Sequence, residues 1–230
     1  MKIEILSEVD STNEYIKRYL ASGEDRIVVA KRQTGGRGTK GRSFASREGG
    51  VYLTALTFYR GFFAKDAFLI MARAATAVCK TAEYFHLLPE IKWPNDVYLA
   101  GKKLAGILVE NILEGEQVKA SIVGIGLNVS NDLEDLNGIA ISLSEAAGRE
   151  ISPEEVRGQL IQNLQHEDAF DKYLKRVRFL GQEVLVVENG AAYPAKALEV
   201  CADGRLKVER EGKEVLLSAA EISLKWNGEK

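Results

Sequence analysis

The densest chemical signal in the sequence is Gly35-Gly36-Arg37-Gly38-Thr39-Lys40-Gly41-Arg42. Glycines let backbone N–H groups approach an anion closely. Arg37, Lys40 and Arg42 place three cations within six residues, enough to neutralise a phosphate or a carboxylate. A solvated basic turn is the other reading; the position of the loop directly after an apolar strand favours anion binding. Two nucleotide-binding patterns match here only formally. Gly36-x-Gly38-x-x-Gly41 has the dinucleotide spacing, but Ser43 to Gly50 makes a poor helix and Gly61 stands where an acid is needed. Gly36-x₄-Gly41-Arg42-Ser43 approaches a phosphate loop with arginine in place of lysine, again with no helix behind it.

Three further segments carry polar groups at strand ends. In Lys92-Trp93-Pro94-Asn95-Asp96-Val97 the proline breaks a strand and Asn95-Asp96 turn the chain, aiming Lys92 and Asp96 at a common space. That pair suits phosphate and metal, or a plain salt-bridged turn. Lys102-Lys103-Leu104-Ala105-Gly106-Ile107-Leu108-Val109-Glu110 reads as the other arm of a hairpin across Ala100-Gly101, with one lysine on each side of the strand. Alone, both lysines read as solvated edge charges. Gly124-Ile125-Gly126-Leu127-Asn128-Val129 lets a ligand press on the backbone, and the Asn128 amide suits a nucleobase edge. Taken alone, the motif reads better as a tight strand exit with an Asn-mediated turn.

The elements that must position these groups are legible in part. Ser11-Thr12-Asn13-Glu14 has capping-box spacing and opens a helix through Leu20, closed at Gly23. Ile27 to Ala30 is a short strand, and Gln33 to Gly50, with six glycines, is a long functional loop. Val51 to Phe58 alternates as a strand, either an exposed edge that pairs in a dimer or a buried strand. Asp66 to Phe85 is a core helix with Phe68, Ala72, Ala75, Cys79 and Ala82 on one face. Ile91 to Trp93, Val97 to Leu99, Leu104 to Glu110 and Lys119 to Ile125 are further strands. Ser152-Pro153-Glu154-Glu155 starts a helical pattern that extends, interrupted or not, to about Val177. After Gly181 the texture changes. Short strands at Glu183 to Val187, Ala195 to Val200, Leu206 to Arg210, Glu214 to Leu217 and Ile222 to Leu224 alternate with turns at Asn189-Gly190, Asp203-Gly204 and Glu211-Gly212, a small β-barrel. The division is 1–179 and 180–230.

Bulk properties exclude several classes. The 230 residues suit one large and one small domain, and 46% apolar with 28% charged residues is the balance of a soluble globular protein. A net charge of −2 gives no global field for nucleic acid, and no apolar run approaches a membrane span. Met1 to Leu6 is too short and too charged for a signal peptide. Cys79 and Cys201 read as two buried thiols, which suits the cytoplasm. His86 and His166 read as structural or surface residues in helical stretches away from every motif. No serine or cysteine has a histidine placed to activate it.

Taken together, Ser11-Thr12-Asn13, Gln33 with the Gly36 to Arg42 loop, Gly49-Gly50-Val51-Tyr52-Leu53, Lys92 to Val97, Lys103 to Glu110 and Gly124 to Val129 resemble the biotin–protein ligase family in order and spacing. The resemblance covers nearly the whole chain, down to Glu221-Ile222-Ser223-Leu224. It implies an α+β fold: a mixed sheet flanked by helices, like class II synthetases, with an SH3-like C-terminal barrel. It implies two steps, activation of biotin by ATP to biotinyl-5′-adenylate and transfer to a lysine of a biotin carboxyl carrier protein, with Mg²⁺ accompanying ATP and no metal ligands assigned. The implied biotin site is Ser11, Thr12, Asn13, Gln33, Gly36, Arg37, Gly38, Thr39 and Lys103. The implied adenylate site is Arg37, Lys40, Arg42, Phe44, Asn95, Lys103, Gly106 and Asn128, and the catalytic group is Arg37, Lys92, Asp96 and Lys103. The family's loop carries a second arginine where Thr39 stands, and often a tryptophan where Phe44 stands. The Ser11 motif begins almost at once, so the short form without an N-terminal DNA-binding domain is expected, acting in the cytoplasm, with a homodimer allowed. A lipoate–protein ligase of the same fold and a non-catalytic biotin sensor are the alternatives.

Overall fold

Apolar alternation and one long helical pattern build two sheets sharing a continuous core. The computed structural model of the chain describes residues 1–166, 170–188 and 191–218 and the backbone of 222–225. The first sheet contains β1 (Lys2–Val9), β2 (Arg26–Gln33), β3 (Val51–Phe58), β4 (Glu90–Lys92), β5 (Asp96–Leu99), β6 (Lys102–Glu114) and β7 (Gln117–Leu127), in the order β1-β2-β3-β7-β6-β5-β4. β1 and β2 run parallel and every other pair is antiparallel, so the sheet is mixed. The connection between β1 and β2 is α1 (Thr12–Ile16) and a 3₁₀ turn over Lys17–Ser22, stopped by Gly23 at φ 65°.

One face of this sheet is covered by α2 (Phe68–Tyr84), α4 (Pro153–Leu164) and α5 (Phe170–Leu174). The opposite face carries a smaller apolar cluster of Ile16, Val28, Leu56, Ala120 and Ile122 beneath α1. A short helix, α3 (Leu143–Ala147), precedes α4. The second sheet is β8 (Glu183–Glu188), β9 (Ala191–Val200), β10 (Leu206–Arg210), β11 (Lys213–Leu217) and β12 (Ile222–Lys225), in the order β11-β10-β9-β8-β12. Its inner residues, among them Val184, Val186, Ala197 and Val208, join the main core without a break. Among the described residues no helix is long and apolar enough to cross a membrane.

Several sequence expectations are corrected. The capping box does not form: the Ser11 side chain makes no cap hydrogen bond, and the Glu14 carboxylate instead takes Lys17 and Arg37. The helix is α-helical only to Ile16 and tightens to 3₁₀ beyond it. β3 lies between β2 and β7, so it is an inner strand and no dimer can pair on it. β1 carries Ile3 and Ile5 on its exposed side, so its apolar residues do not mark it as a core strand in the sequence. Cys79 is fully buried, which pushes its thiol pKa up, whereas Cys201 is only partly buried. His86 and His166 sit just past the ends of α2 and α4, His86 in the left-handed region at φ 63°. The Asn189-Gly190 turn lies outside the described residues. By contrast Ser152 caps α4 as its sequence implies, accepting from the N–H groups of Glu154 and Glu155.

Candidate active site

A cavity of about 410 Å³ opens on the α1 side of the main sheet, where the ends of β2, β5, β6 and β7 meet the glycine–arginine loop. Of the predicted site residues, Ser11, Thr12, Asn13, Gln33, Arg37, Gly38, Thr39, Arg42, Phe44, Lys92, Asn95, Asp96, Lys103, Gly106 and Asn128 line it. Gly36 and Lys40 do not. Gly36 serves loop closure: its carbonyl accepts from the Phe44 N–H, and a Cβ there would lie 2.4 Å from the Phe44 carbonyl oxygen. Lys40, at φ 58°, lines an adjoining groove between the two sheets that shares Lys92, Asn95 and Asp96 with the cavity.

The loop is ordered by its own hydrogen bonds. Arg37 and Ser43 face each other across a single β-bridge, and the Gly38 N–H donates to the Arg42 carbonyl at 2.7 Å. Its far end is anchored by Tyr52, whose hydroxyl donates to the Arg47 carbonyl; burial pushes the pKa of that phenol well above the usual range, so it stays a donor. The Arg47 guanidinium in turn bridges Asp132 and Asp135.

At the charged end, β4 and β5 pair Lys92 with Asp96 across the turn, and the hairpin places Lys103 opposite Tyr98. The Lys103 ammonium lies 2.8 Å from Asp96 Oδ1. The contact is electrostatic rather than a well-aligned hydrogen bond, because Oδ1 is buried and accepts none. Lys102, on the other side of the strand, pairs with Glu145. Lys92 reaches the Tyr98 hydroxyl at 3.4 Å. Arg37 is turned outward onto Glu14 at 2.6 Å, with 58% of its side chain exposed. The Asn95 side-chain amide donates to the Ile107 carbonyl on β6.

At the other end, the glycines of β6 and β7 accept side chains. Gly106 and Gly126 pair across the strands, and the Phe44 ring rests on them, 2.5 Å from where a Gly126 Cβ would stand. Gly124 is pressed by Asn13, not by open space: a Cβ would lie 2.1 Å from Asn13 Oδ1. The Asn128 Oδ1 accepts from Asn131, leaving its Nδ2 as the group available to a ligand. Sequence reasoning missed Tyr98, Leu136, Ile139 and Ala140, which complete the wall. It also missed Thr54 and Ser46, which hold the polar floor together. The Asn137-Gly138 turn signalled the first wall segment, and a threonine between Leu53 and Ala55 in an otherwise apolar stretch signalled Thr54.

The cavity therefore combines hydroxyl and amide groups at one end, cations with a single carboxylate at the other, and a glycine floor under an aromatic ring. Such a site can hold a neutral polar head group and bring an acid to a polyphosphate. Comparison with known proteins agrees with that reading. The sequence pattern of the biotin/lipoate A/B protein ligase family matches residues 6–128. The bifunctional ligase/repressor BirA of Bacillus subtilis is 38% identical over 153 residues, 64% of this chain and 47% of that protein. The biotin–[acetyl-CoA-carboxylase] ligase of Mycobacterium tuberculosis is 25% identical over 96% of this chain and 88% of its own length. The chain spans about half the length of the Bacillus relatives. The solved structure of the Aquifex aeolicus biotin protein ligase in complex with biotin and ATP superposes with a TM-score of 0.81 at 28% identity, covering 97% of this chain and 98% of that one.

Proposed function

Because the chain belongs to the biotin/lipoate A/B protein ligase family, we propose that it activates biotin with ATP and transfers it to a lysine of a biotin carboxyl carrier protein. The observation that carries this reading is the single cavity in which the polar groups of Ser11 and Gln33 and the cations of Arg42, Lys92 and Lys103 converge. In this reading residues 1–179 do the chemistry and 180–230 form the SH3-like part.

In the first step a biotin carboxylate oxygen attacks the α-phosphorus of ATP, and pyrophosphate leaves. The obstacle is repulsion between an acid and a polyanion. Lys103, Lys92 and Arg42 offset it at fixed positions, and Arg37 joins them by leaving Glu14. Mg²⁺ would come bound to the ATP phosphates and neutralise charge there. Asp96 is the one carboxylate among the described cavity-lining residues, and no described cluster of three or more candidate ligands exists, so a metal carried by phosphate fits better than a protein cage. In the second step a neutral acceptor amine attacks the acyl carbon and AMP leaves. Asp96, at the boundary between cavity and groove, orients the amine or takes its proton. The adenine edge falls to Asn128, with Phe44 over Gly106 and Gly126 beside it.

The protein acts in the cytoplasm in this reading, with no nucleic-acid partner. A homodimer that pairs strands of the main sheet would use an end strand, β1 or β4. The test is biotin-dependent exchange of labelled pyrophosphate into ATP, followed by covalent transfer of labelled biotin to a carrier domain. Exchange with lipoate instead of biotin would overturn the substrate, and biotin binding without pyrophosphate release would reduce the protein to a sensor.

A further inference from the structure

Beneath α1 lies a chain of buried and half-buried polar groups that reaches beyond the cavity wall to Thr54, Ser46 and Glu110. The Glu110 carboxylate accepts from Asn13 Nδ2 at 2.8 Å, which fixes that amide with its oxygen toward Thr54. Thr54, fully buried in β3, has its hydroxyl 2.7 Å from Asn13 Oδ1 and 2.8 Å from Thr12 Oγ1. Thr12 Oγ1 lies 3.0 Å from Gln33 Oε1, to which the Thr12 N–H also donates at 2.8 Å. Gln33 Nε2 donates to Ser46 Oγ at 2.8 Å, and Ser46 donates to the Phe44 carbonyl at 2.9 Å.

The two hydroxyl protons of Thr12 and Thr54 serve three contacts, in which Asn13 Oδ1 and Gln33 Oε1 only accept. The direction of the Gln33 amide is set by the Thr12 N–H, which donates to Oε1 and leaves Nε2 to Ser46 with one N–H unspent. The Thr54 hydroxyl touches both Thr12 and Asn13, and so holds Thr12, and with it that N–H, in place. Gln33 and Ser11 both line the cavity, and the Ser11 side chain makes no cap hydrogen bond to α1. A cyclic urea presents one acceptor and two donors, and it can be told from an isosteric hydrocarbon only by groups whose direction is fixed beforehand.

We propose that Thr54 is a positioning residue for biotin recognition, acting through Thr12 on the side-chain amide of Gln33. This rests on the biotin reading of the site. Thr54 touches no cavity surface, so its effect falls on the affinity for the head group and not on the phosphates at the other end.

The experiment compares Thr54→Val and Thr54→Ser in biotin-dependent pyrophosphate exchange. Valine keeps the shape and deletes the hydroxyl; serine restores it. The expected result is a rise in the biotin KM of about tenfold in the valine variant, the usual effect of one buried hydrogen bond left unmade. The ATP KM and kcat stay near wild type, and serine returns the biotin KM to within about twofold. An unchanged biotin KM in folded Thr54→Val, or equal losses in all three parameters, overturns the proposal. Should the valine variant fail to fold, Ser46→Ala, at the other end of the same chain, must give the same selective rise; an unchanged biotin KM there is equally fatal. A wild-type protein inactive with biotin would instead sink the functional reading itself.

Discussion

Lys103 and Asp96 touch, yet their charges suit different half-reactions. An ammonium beside the α-phosphate matters most while charge builds there, whereas a carboxylate matters when an amine must arrive neutral. Lys103→Ala is expected to lower adenylate formation at least about a hundredfold, the scale of removing one donor from a developing charge. Asp96→Asn is expected to spare that step and slow transfer to the acceptor. Separate assays of pyrophosphate exchange and of transfer from preformed adenylate check this; equal loss in both steps for both variants would refute the division. Gly126 offers a steric test. An alanine there would drive a methyl into the Phe44 ring. Gly126→Ala should raise the ATP KM roughly tenfold, and should cost much less in a Phe44→Ala background. Equal cost in both backgrounds would show that the ring is not the obstacle. At this scale the sequence was informative where residue type limits chemistry. It named the cations, Asp96 and the glycines. It did not show that Asn13 and Phe44 fill the glycine spaces, because those contacts join positions far apart in the chain, Asn13 with Gly124 and Phe44 with Gly106 and Gly126.

The loop from Gln33 to Gly50 is held at its base by Gln33, Ser46 and Tyr52, and at its tip by hydrogen bonds within the loop and the exposed Arg37–Glu14 pair. An ion pair that exposed contributes little. Ligand phosphates would draw Arg37 away from Glu14 and give the tip new partners. Trypsin is therefore expected to cut after Arg37, Lys40 or Arg42 in the free protein and to be blocked by biotin plus ATP. Cleavage at one unchanged rate with both ligands present would count against closure. Elements were legible where apolar residues recur at helical spacing, as Ala72, Ala75, Cys79 and Ala82 do in α2, or where a cap fixes the start, as in α4. They failed where tertiary contacts redirect local signals. Glu14 has capping spacing but spends its charge on Lys17 and Arg37, and β1 pairs with β2 while its Ile3 and Ile5 stay exposed.

The two sheets meet at a joint that no local pattern announces, 111 residues apart in sequence. Trp93, buried in the turn that carries Lys92 and Asp96, donates from Nε1 to the Gly204 carbonyl at 2.9 Å. Gly204 sits at φ 87°, and a Cβ there would lie 2.3 Å from the Phe68 ring. The second sheet thereby braces the turn behind the charged end of the cavity. Gly204→Ala combines a left-handed alanine with a collision against a packed ring, and is expected to cost about 2 kcal/mol or more. Trp93→Phe leaves the Gly204 carbonyl without its donor, at about 1–3 kcal/mol. Because the apolar core runs unbroken between the sheets, the wild type should unfold in one calorimetric transition. Both variants should separate a lower transition for the second sheet, and both should lose activity through Lys92 and Asp96 although neither residue is altered. Two well-separated transitions already present in the wild type, or full activity in a Gly204→Ala protein whose second sheet has melted, would show that the turn stands without its brace.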